Sequence, residues 1–538
     1  MHLGGRLWAD GTRHTPSFAW LCGAVYEHLH DHQRWVLPEV LEAQARRRGD
    51  STFLTVIGEG SLTYAAAARQ ARQVASHCAA AGVGIGDAVA VLLPNGLDFV
   101  RLWLGLGRLG ALIVPVNTGL TGDFLAHQLR DSGARMVVSA GPASEAVAGV
   151  IDEVAGLQVL DLDGWQGAAE HDGPLPRASD TACLMYTSGT TGPSKGVLMP
   201  HAHCYLFGLG SIEGLGITED DRYYVSMPLF HANGLFMQLY ATLIAGASAV
   251  LRARFSATSW LSDIRAHGCT VTNLLGAMSQ FVIAQPSSPG DTDHGLRVIC
   301  PVPNPAPHER AWRERFAVPD VVTAYGMTEV NIPLYGRLGT SRPGTAGRAL
   351  ERWFEVEVRD PDTDDRLRAG QIGEIMVRPR VPFGFMSGYA GLPEATVAAW
   401  RNFWFHTGDS GVMDEEGWVT FVDRTKDCIR RRGENISSYE VENAVVSLDG
   451  VAEVAAYAVP AGAEGTEDEV MLAVVLHDGV SMDAAAVAAH ADAVLPRFAR
   501  PRYIEIVEAL PKTPTQKVRK QELRTRAVTS STWDRERH

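Results

Sequence analysis

The chain has 538 residues, 46% of them hydrophobic, and 62 Asp and Glu against 48 Lys and Arg, a formal net charge of −14. That length accommodates a large core in several units, and the acidic balance excludes a binder of nucleic-acid backbones, which needs a basic surface. Seven cysteines, at 22, 78, 183, 204, 269, 300 and 428, form no C-x-x-C pair, which excludes a zinc or dithiol site of that spacing and reads as reduced and intracellular.

The opening "MHLGGRLWADGTRHTPS" has no charged stretch feeding an apolar one, so residues 1–34 read as an extension, not a signal peptide, and a cytoplasmic location is expected. "YAAAARQARQVASHCAAAG" (64–82) has helical spacing, "AVAVLLP" reads as a buried strand, "LDFVRLWLGLGRLGA" as a helix and "LIVPVN" as a strand. Arg101 and Arg108 interrupt this apolar run, which argues against a membrane span. Further strand-like runs, "RMVVSA", "ACLMY", "YYVSMPLF", "SAVLRA", "TVTNLL" and "VVTAYG", alternate with helical or polar segments. The pattern predicts an α/β fold with mostly parallel sheets under helices, where ligands bind at the carboxyl ends of strands.

At such an end stands "TSGTTGPSKG" (187–196), with three threonines, two serines, three glycines and a lysine. Glycines let backbone amides face a ligand, hydroxyls add donors and Lys195 adds charge, a combination suited to a polyphosphate. The order differs from G-x-x-x-x-G-K-[ST], because Ser194 precedes the lysine and Gly196 follows it. Near Asp423 the texture changes to a dense charge cluster followed by a short helix and an alternating strand, marking a smaller α+β unit.

This loop, "YGMTE" (325–329), "HTGD" (406–409), "DRTKD" (423–427) and "PKTPTQKVRK" (511–520) together resemble the adenylate-forming superfamily of acyl-CoA synthetases, amino-acid adenylation domains and luciferases. The likeness implies a large multi-sheet N-terminal domain over 35–424, a small mobile α+β domain over 425–525 and a tail over 526–538. It implies ATP, Mg²⁺ and coenzyme A: a carboxylate attacks the α-phosphate of ATP, pyrophosphate leaves, and a thiol displaces AMP.

By this resemblance Thr187, Ser188, Gly189, Thr190, Thr191 and Lys195 hold the β- and γ-phosphates. Tyr325 offers a flat face for the adenine, Gly326 and Met327 belong to the same nucleotide site, Thr328 meets the α-phosphate, and Glu329 supplies the hard carboxylate oxygen that Mg²⁺ prefers. Asp409 holds the ribose hydroxyls with help from Arg424. Lys517 bridges the substrate carboxylate and the α-phosphate, offsetting their repulsion; Lys512 and Lys520 compete for that place, and Gln516 stands where the family commonly has Gly. Lys426 matches the hinge about which the small domain turns, bringing the loop around Gly433 to form the thiol tunnel. "RRR" (430–432) reads either as a CoA-phosphate site, with Arg432 beside Gly433, or as a solvated charge run.

Amino-acid-activating relatives usually carry Asp after "PLF"; here "MPLFHANG" places His231 there, which argues against an α-amino acid. His231 lines or gates the acyl pocket, or is a core histidine. Asn233, Gly276 in "NLLGAM" and Asn331 in "NIPLY" are expected to line the pocket, whose apolar surroundings suit a hydrophobic or bulky acid. "PVPNPAP" (301–307) replaces the Gly-Gly-Ala-Pro common beside the adenine, and "RRRGENISSYEVE" is similar to the carnitine and crotonobetaine CoA ligase branch. The expected function is an ATP-dependent acyl-CoA ligase of fatty-acid or antibiotic metabolism, monomeric or homodimeric. Two alternatives stand beside it: a ligase loading a carrier protein, and a nucleotide-binding protein that has lost catalysis.

Overall fold

The computed structural model describes residues 31–187, 193–361, 363–424, 428–432, 434–461, 468–511, 518 and 520–537. Three seven-stranded sheets build the large unit. The first runs Asp320–Val321, Val298–Val302, Val271–Leu275, Arg222–Val225, Ser248–Leu251, Thr52–Val56, Gly60–Thr63, and all neighbours are parallel except the last pair. The second runs Gly388–Tyr389, Lys195–Pro200, Thr181–Thr187, Leu112–Pro115, Ala88–Leu92, Met136–Ser139, Gln158–Val159. Its last five strands are parallel.

The helix Tyr64–Ala80 begins where the Thr63 hydroxyl accepts the Ala66 N–H, the usual way a helix start satisfies an orphan donor. Its face Ala67, Ala68, Ala71, Val74, Ala75 and Cys78 is buried, as the spacing predicts. The predicted helix near 97 spans Leu97–Leu109 and is apolar almost all round, which fits its place in the core between sheets. No helix among the described residues is long and apolar enough to cross a membrane.

The third sheet differs from the mostly parallel expectation: every pairing in it is antiparallel, in the order Ala324–Met327, Asn331–Tyr335, Gly347–Ala349, Trp418–Arg424, Phe405–Met413, Ile372–Pro379, Phe354–Arg359. Short loops such as Asp414–Gly417 connect neighbouring strands, so no crossover helix is needed. The small α+β unit has a hairpin, Cys428–Arg431 with Glu434–Ser437, and a four-stranded sheet, Val451–Pro460, Asp468–Leu476, Tyr503–Ile506, Trp533–Asp534. Trp533–Asp534 therefore lies within the stretch set aside as a tail, yet it pairs with Tyr503–Ile504 as an edge strand. Phe124 of the large unit packs against the small unit's core, and Phe498 packs back against the large unit.

Five cysteines, 78, 183, 204, 269 and 300, are buried and free. Burial pushes the thiols of Cys78, Cys269 and Cys300 up to about 12, so they serve as packing groups and not as nucleophiles.

Candidate active site

The phosphate-loop candidate joins two antiparallel strands, with Thr187 directly opposite Lys195. It is a hairpin connection, and no helix follows it as in the G-x-x-x-x-G-K-[ST] motif. Ser188, Gly189, Thr190 and Thr191 lie outside the described residues. At the rim, the Thr187 hydroxyl approaches Glu329 Oε1 at 3.4 Å, and Tyr389 donates to the same oxygen at 3.0 Å. Lys195 Nζ stands 4.8 Å over the Tyr389 ring. Burial first, and the Glu329 charge second, hold the Tyr389 phenol far above its ordinary range, so it remains a donor.

Glu329 is 5% exposed, and its backbone oxygen accepts the Met386 N–H at 3.1 Å. Among the described residues no group of three or more His, Cys, Asp or Glu is arranged to hold a metal by itself. A buried carboxylate met by neutral hydroxyl donors fits a Mg²⁺ that arrives with phosphate ligands of its own.

The hairpin Ala324–Met327 and Asn331–Tyr335 carries the "YGMTE" residues. Gly326 is exposed on this bulged strand, and a Cβ there would overlap the Asn331 carbonyl oxygen and Ile332. Met327 pairs with Asn331. His203 braces the turn: its ring lies 2.8 Å from the carbonyl oxygens of Thr328 and of Gly384. Burial draws its pKa down to about 4, so at neutral pH the ring donates to one of the two.

Tyr325 reaches across to donate to Asp409 Oδ2 at 2.7 Å. Asp409 is 5% exposed and faces Arg424 directly across the ladder, so two residues fifteen apart in sequence become neighbours through the strand pair. The strand segment before Asp409 is held by Glu374, which accepts the Gly408 N–H at 2.8 Å and contacts His406 Nδ1 at 3.0 Å.

From the small unit, Glu434 reaches His231 Nε2 at 3.2 Å and accepts from Asn117 Nδ2 at 3.3 Å. Glu440 accepts the Ser194 N–H beside the phosphate-loop candidate, and burial raises its carboxyl pKa. Between the units is a cavity of about 100 Å³ lined by Thr187, Ser194, His231 and Thr328 on one side and Glu434 and Phe498 on the other. His231 is thus at an interdomain opening and is not a core histidine.

The other expected pocket residues divide. Asn233 is half-buried at the start of a helix, and Gly276 opens another beneath Pro303. Asn331 is wholly buried, with its amide nitrogen on the His203 carbonyl oxygen at 2.9 Å and its Oδ1 taking the Ile332 N–H, so it belongs to the frame behind the pocket.

In the arginine run, Arg431 is spent on Glu469 at 2.6 Å and on the carbonyl of Arg500, whereas Arg432 is 60% exposed and stands 3.9 Å from the same carboxylate. Lys520 is held by Glu442 and the Ser438 hydroxyl, each at 2.7 Å, so it is committed within the small unit. Lys517, Lys512, Lys426 and Gly433 lie outside the described residues. The sequence reading missed Tyr389, Glu434, Glu440 and Asn117. Glu434 and Glu440 sit in "RRRGENISSYEVE", where two acids beside the hinge were a usable signal; Tyr389 in "MSGYA" had none.

Comparison with known proteins follows the same division of the chain. Residues 41–390 match the family described as AMP-binding enzyme, and 440–517 match its C-terminal domain. The sulfoacetate–CoA ligase of Cupriavidus necator is 32% identical over 507 residues, covering 90% of this chain and 97% of that protein. The crotonobetaine/carnitine–CoA ligase of Salmonella paratyphi B is 30% identical, covering 86% and 93%.

A double mutant of o-succinylbenzoate CoA synthetase from Bacillus subtilis, bound with its product analogue, superposes with a TM-score of 0.81 at 28% identity, covering 92% of this chain and 99% of that one. The same enzyme in complex with AMP gives 0.66 at 28% identity, covering 93% and 99%. Both motif-bearing parts match in order, and the first match alone spans most of the chain: the protein belongs to the AMP-binding enzyme family.

Proposed function

We infer that this chain is an AMP-forming acid–thiol ligase, which activates a carboxylic acid as its acyl adenylate and transfers the acyl group to coenzyme A. One observation carries the reading: the strands bring Thr187, Glu329 and Tyr389 into one hydrogen-bonded group beside Lys195, and Tyr325 onto Asp409. We assign the first group to the phosphates and metal and the second to the nucleoside.

In this reading Asp409 accepts from the ribose hydroxyls with the assistance of Arg424, and Tyr325 covers the adenine, with Gly326 and Met327 in the nucleotide site. Thr328 donates to the α-phosphate. Thr187, Lys195 and the loop residues Ser188, Gly189, Thr190 and Thr191 grip the β- and γ-phosphates. Glu329 would hold a Mg²⁺, which when bound would neutralise phosphate charge. Lys517 brings the acid's carboxylate to the α-phosphate. Fixed donors of this kind are each worth on the order of 10²- to 10³-fold in rate.

The second step needs the small unit, proposed to begin at 425, to extend through the edge strand Trp533–Asp534 and to turn about Lys426. The interdomain contacts of Glu434 and Glu440, and the better superposition on the product-analogue complex than on the AMP complex, support an orientation suited to thiol transfer. Gly433 then lies on the thiol's path and Arg432 at a CoA phosphate.

Incubation with an acid panel, ATP, Mg²⁺ and hydroxylamine tests the first step, because acyl adenylates are released as hydroxamates; CoA or a carrier protein added afterwards identifies the acceptor. Lys517→Ala should lower hydroxamate release by at least about 10²-fold. No hydroxamate from any acid would leave the nucleotide-binding protein without catalysis as the better reading.

A further inference from the structure

A buried amide network fixes the direction of one pocket side chain, and that direction bears on the acid. Asn233 opens the helix Asn233–Tyr240, whose backbone pairs in the π register. Such turns are rare and concentrate at functional sites. In this register Gln238, five residues on, comes under Asn233 and donates Nε2 to Asn233 Oδ1 at 2.8 Å. From the strand Val271–Leu275, Asn273 donates Nδ2 to the same oxygen at 3.3 Å, and Tyr223 donates its hydroxyl to Asn273 Oδ1 at 2.6 Å. Gln238, Asn273 and Tyr223 are all wholly buried.

Two donors fill the lone pairs of Asn233 Oδ1. Turning the amides round would strand the Tyr223 proton and the Gln238 NH₂ group, buried donors that cost about 1–3 kcal/mol each when unmet. The orientation shown leaves one orphan, Gln238 Oε1. An under-satisfied carbonyl oxygen is the less costly fault.

Asn233 is only half-buried, and with its Oδ1 taken its NH₂ makes no hydrogen bond among the described residues. It follows His231, a residue of the interdomain cavity, by two positions. A Cβ at Gly234 would overlap the Pro228 carbonyl oxygen, so the backbone beneath Asn233 is seated without slack.

We propose that Asn233 is a specificity-determining residue whose NH₂ group donates to an oxygen on the acyl portion of the acid, making the substrate an oxygen-bearing acid and not a plain hydrocarbon one. The network supplies only neutral groups, so the matching oxygen is neutral: a hydroxyl, keto or ether oxygen. The inference rests on the acyl-adenylate reading and refines its expectation of a hydrophobic acid, since an apolar pocket with one fixed donor selects by that donor.

The test compares hydroxamate release, as kcat/KM, for hexanoate and benzoate against their monohydroxylated forms and 5-oxohexanoate, with adipate and 3-sulfopropionate as anionic arms. For at least one matched pair the oxygenated acid should be preferred by about 10- to 10²-fold. Asn233→Leu should bring the ratio to about one, as an unpaired donor no longer discriminates. Asn233→Asp keeps the oxygen that Gln238 and Asn273 use, which protects the fold, but replaces the NH₂ donor with an acceptor; it should also abolish the preference. A wild-type preference for the plain or the anionic acids, or a ratio unchanged in both variants, overturns the inference while leaving the ligase reading intact. Hydroxamate from no acid at all overturns both.

Discussion

Replacing Tyr325 by Phe removes one hydroxyl and keeps the ring, including its tilted contact with Phe421 at 6.4 Å between centroids. The lost bond is a short O–H···O⁻ contact of 2.7 Å to a carboxylate that is 5% exposed. A hydrogen bond to a charged group contributes about 1.5–3 kcal/mol, which corresponds to roughly 10- to 150-fold in an equilibrium. If that bond holds Asp409 in position for the ribose, the KM for ATP in hydroxamate release should rise about 10- to 100-fold, with the KM for the acid unchanged. Asp409→Asn should do at least as much harm. The double variant should be little worse than Asp409→Asn alone, because the hydroxyl then has no carboxylate to hold. An unchanged KM for ATP in Tyr325→Phe, or fully additive losses, would refute the coupling.

Glu440 touches the phosphate-loop flank only through the small unit, so Glu440→Ala should slow acyl-CoA formation by about 10-fold while hydroxamate release stays within about threefold; equal loss of both would contradict its role in the docked orientation. Gly326→Ala would drive a Cβ into the Asn331 carbonyl, and we expect adenylation to fall by more than about 10²-fold together with a lower thermal midpoint. A normal enzyme would show that the turn can shift. His201 is buried, accepts the Leu37 N–H at Nδ1, and has its pKa drawn down to about 4 by burial. Its neutral form is favoured in the fold, so its contribution is complete above about pH 6.5 and is lost as the pH falls towards 4, at about 1.4 kcal/mol per pH unit. The thermal midpoint measured between pH 7 and 5 should fall less steeply in His201→Asn; the same slope would exclude it as a contributor.

The family was legible in the sequence because "TSGTTGPSKG", "YGMTE", "HTGD" and "PKTPTQKVRK" each compress their residues into a short contiguous run. Parallel strands and their helices were legible because hydrophobic period is local, as in Tyr64–Ala80. The antiparallel third sheet was not, since short alternating strands do not state their partners. Nor was the edge strand Trp533–Asp534, two residues long and without a period of its own.

The short motifs, in their order along the chain, carried the resemblance that implied the reaction class, and a loop of glycines, hydroxyls and a lysine at a strand end suits a polyphosphate. Only the tertiary structure put Tyr389 on Glu329, buried Arg431 against Glu469, and set Gln238 and Asn273 on the Asn233 side-chain oxygen. The direction of a polar side chain depends on which buried donors and acceptors meet it, and strands far apart in sequence bring those together.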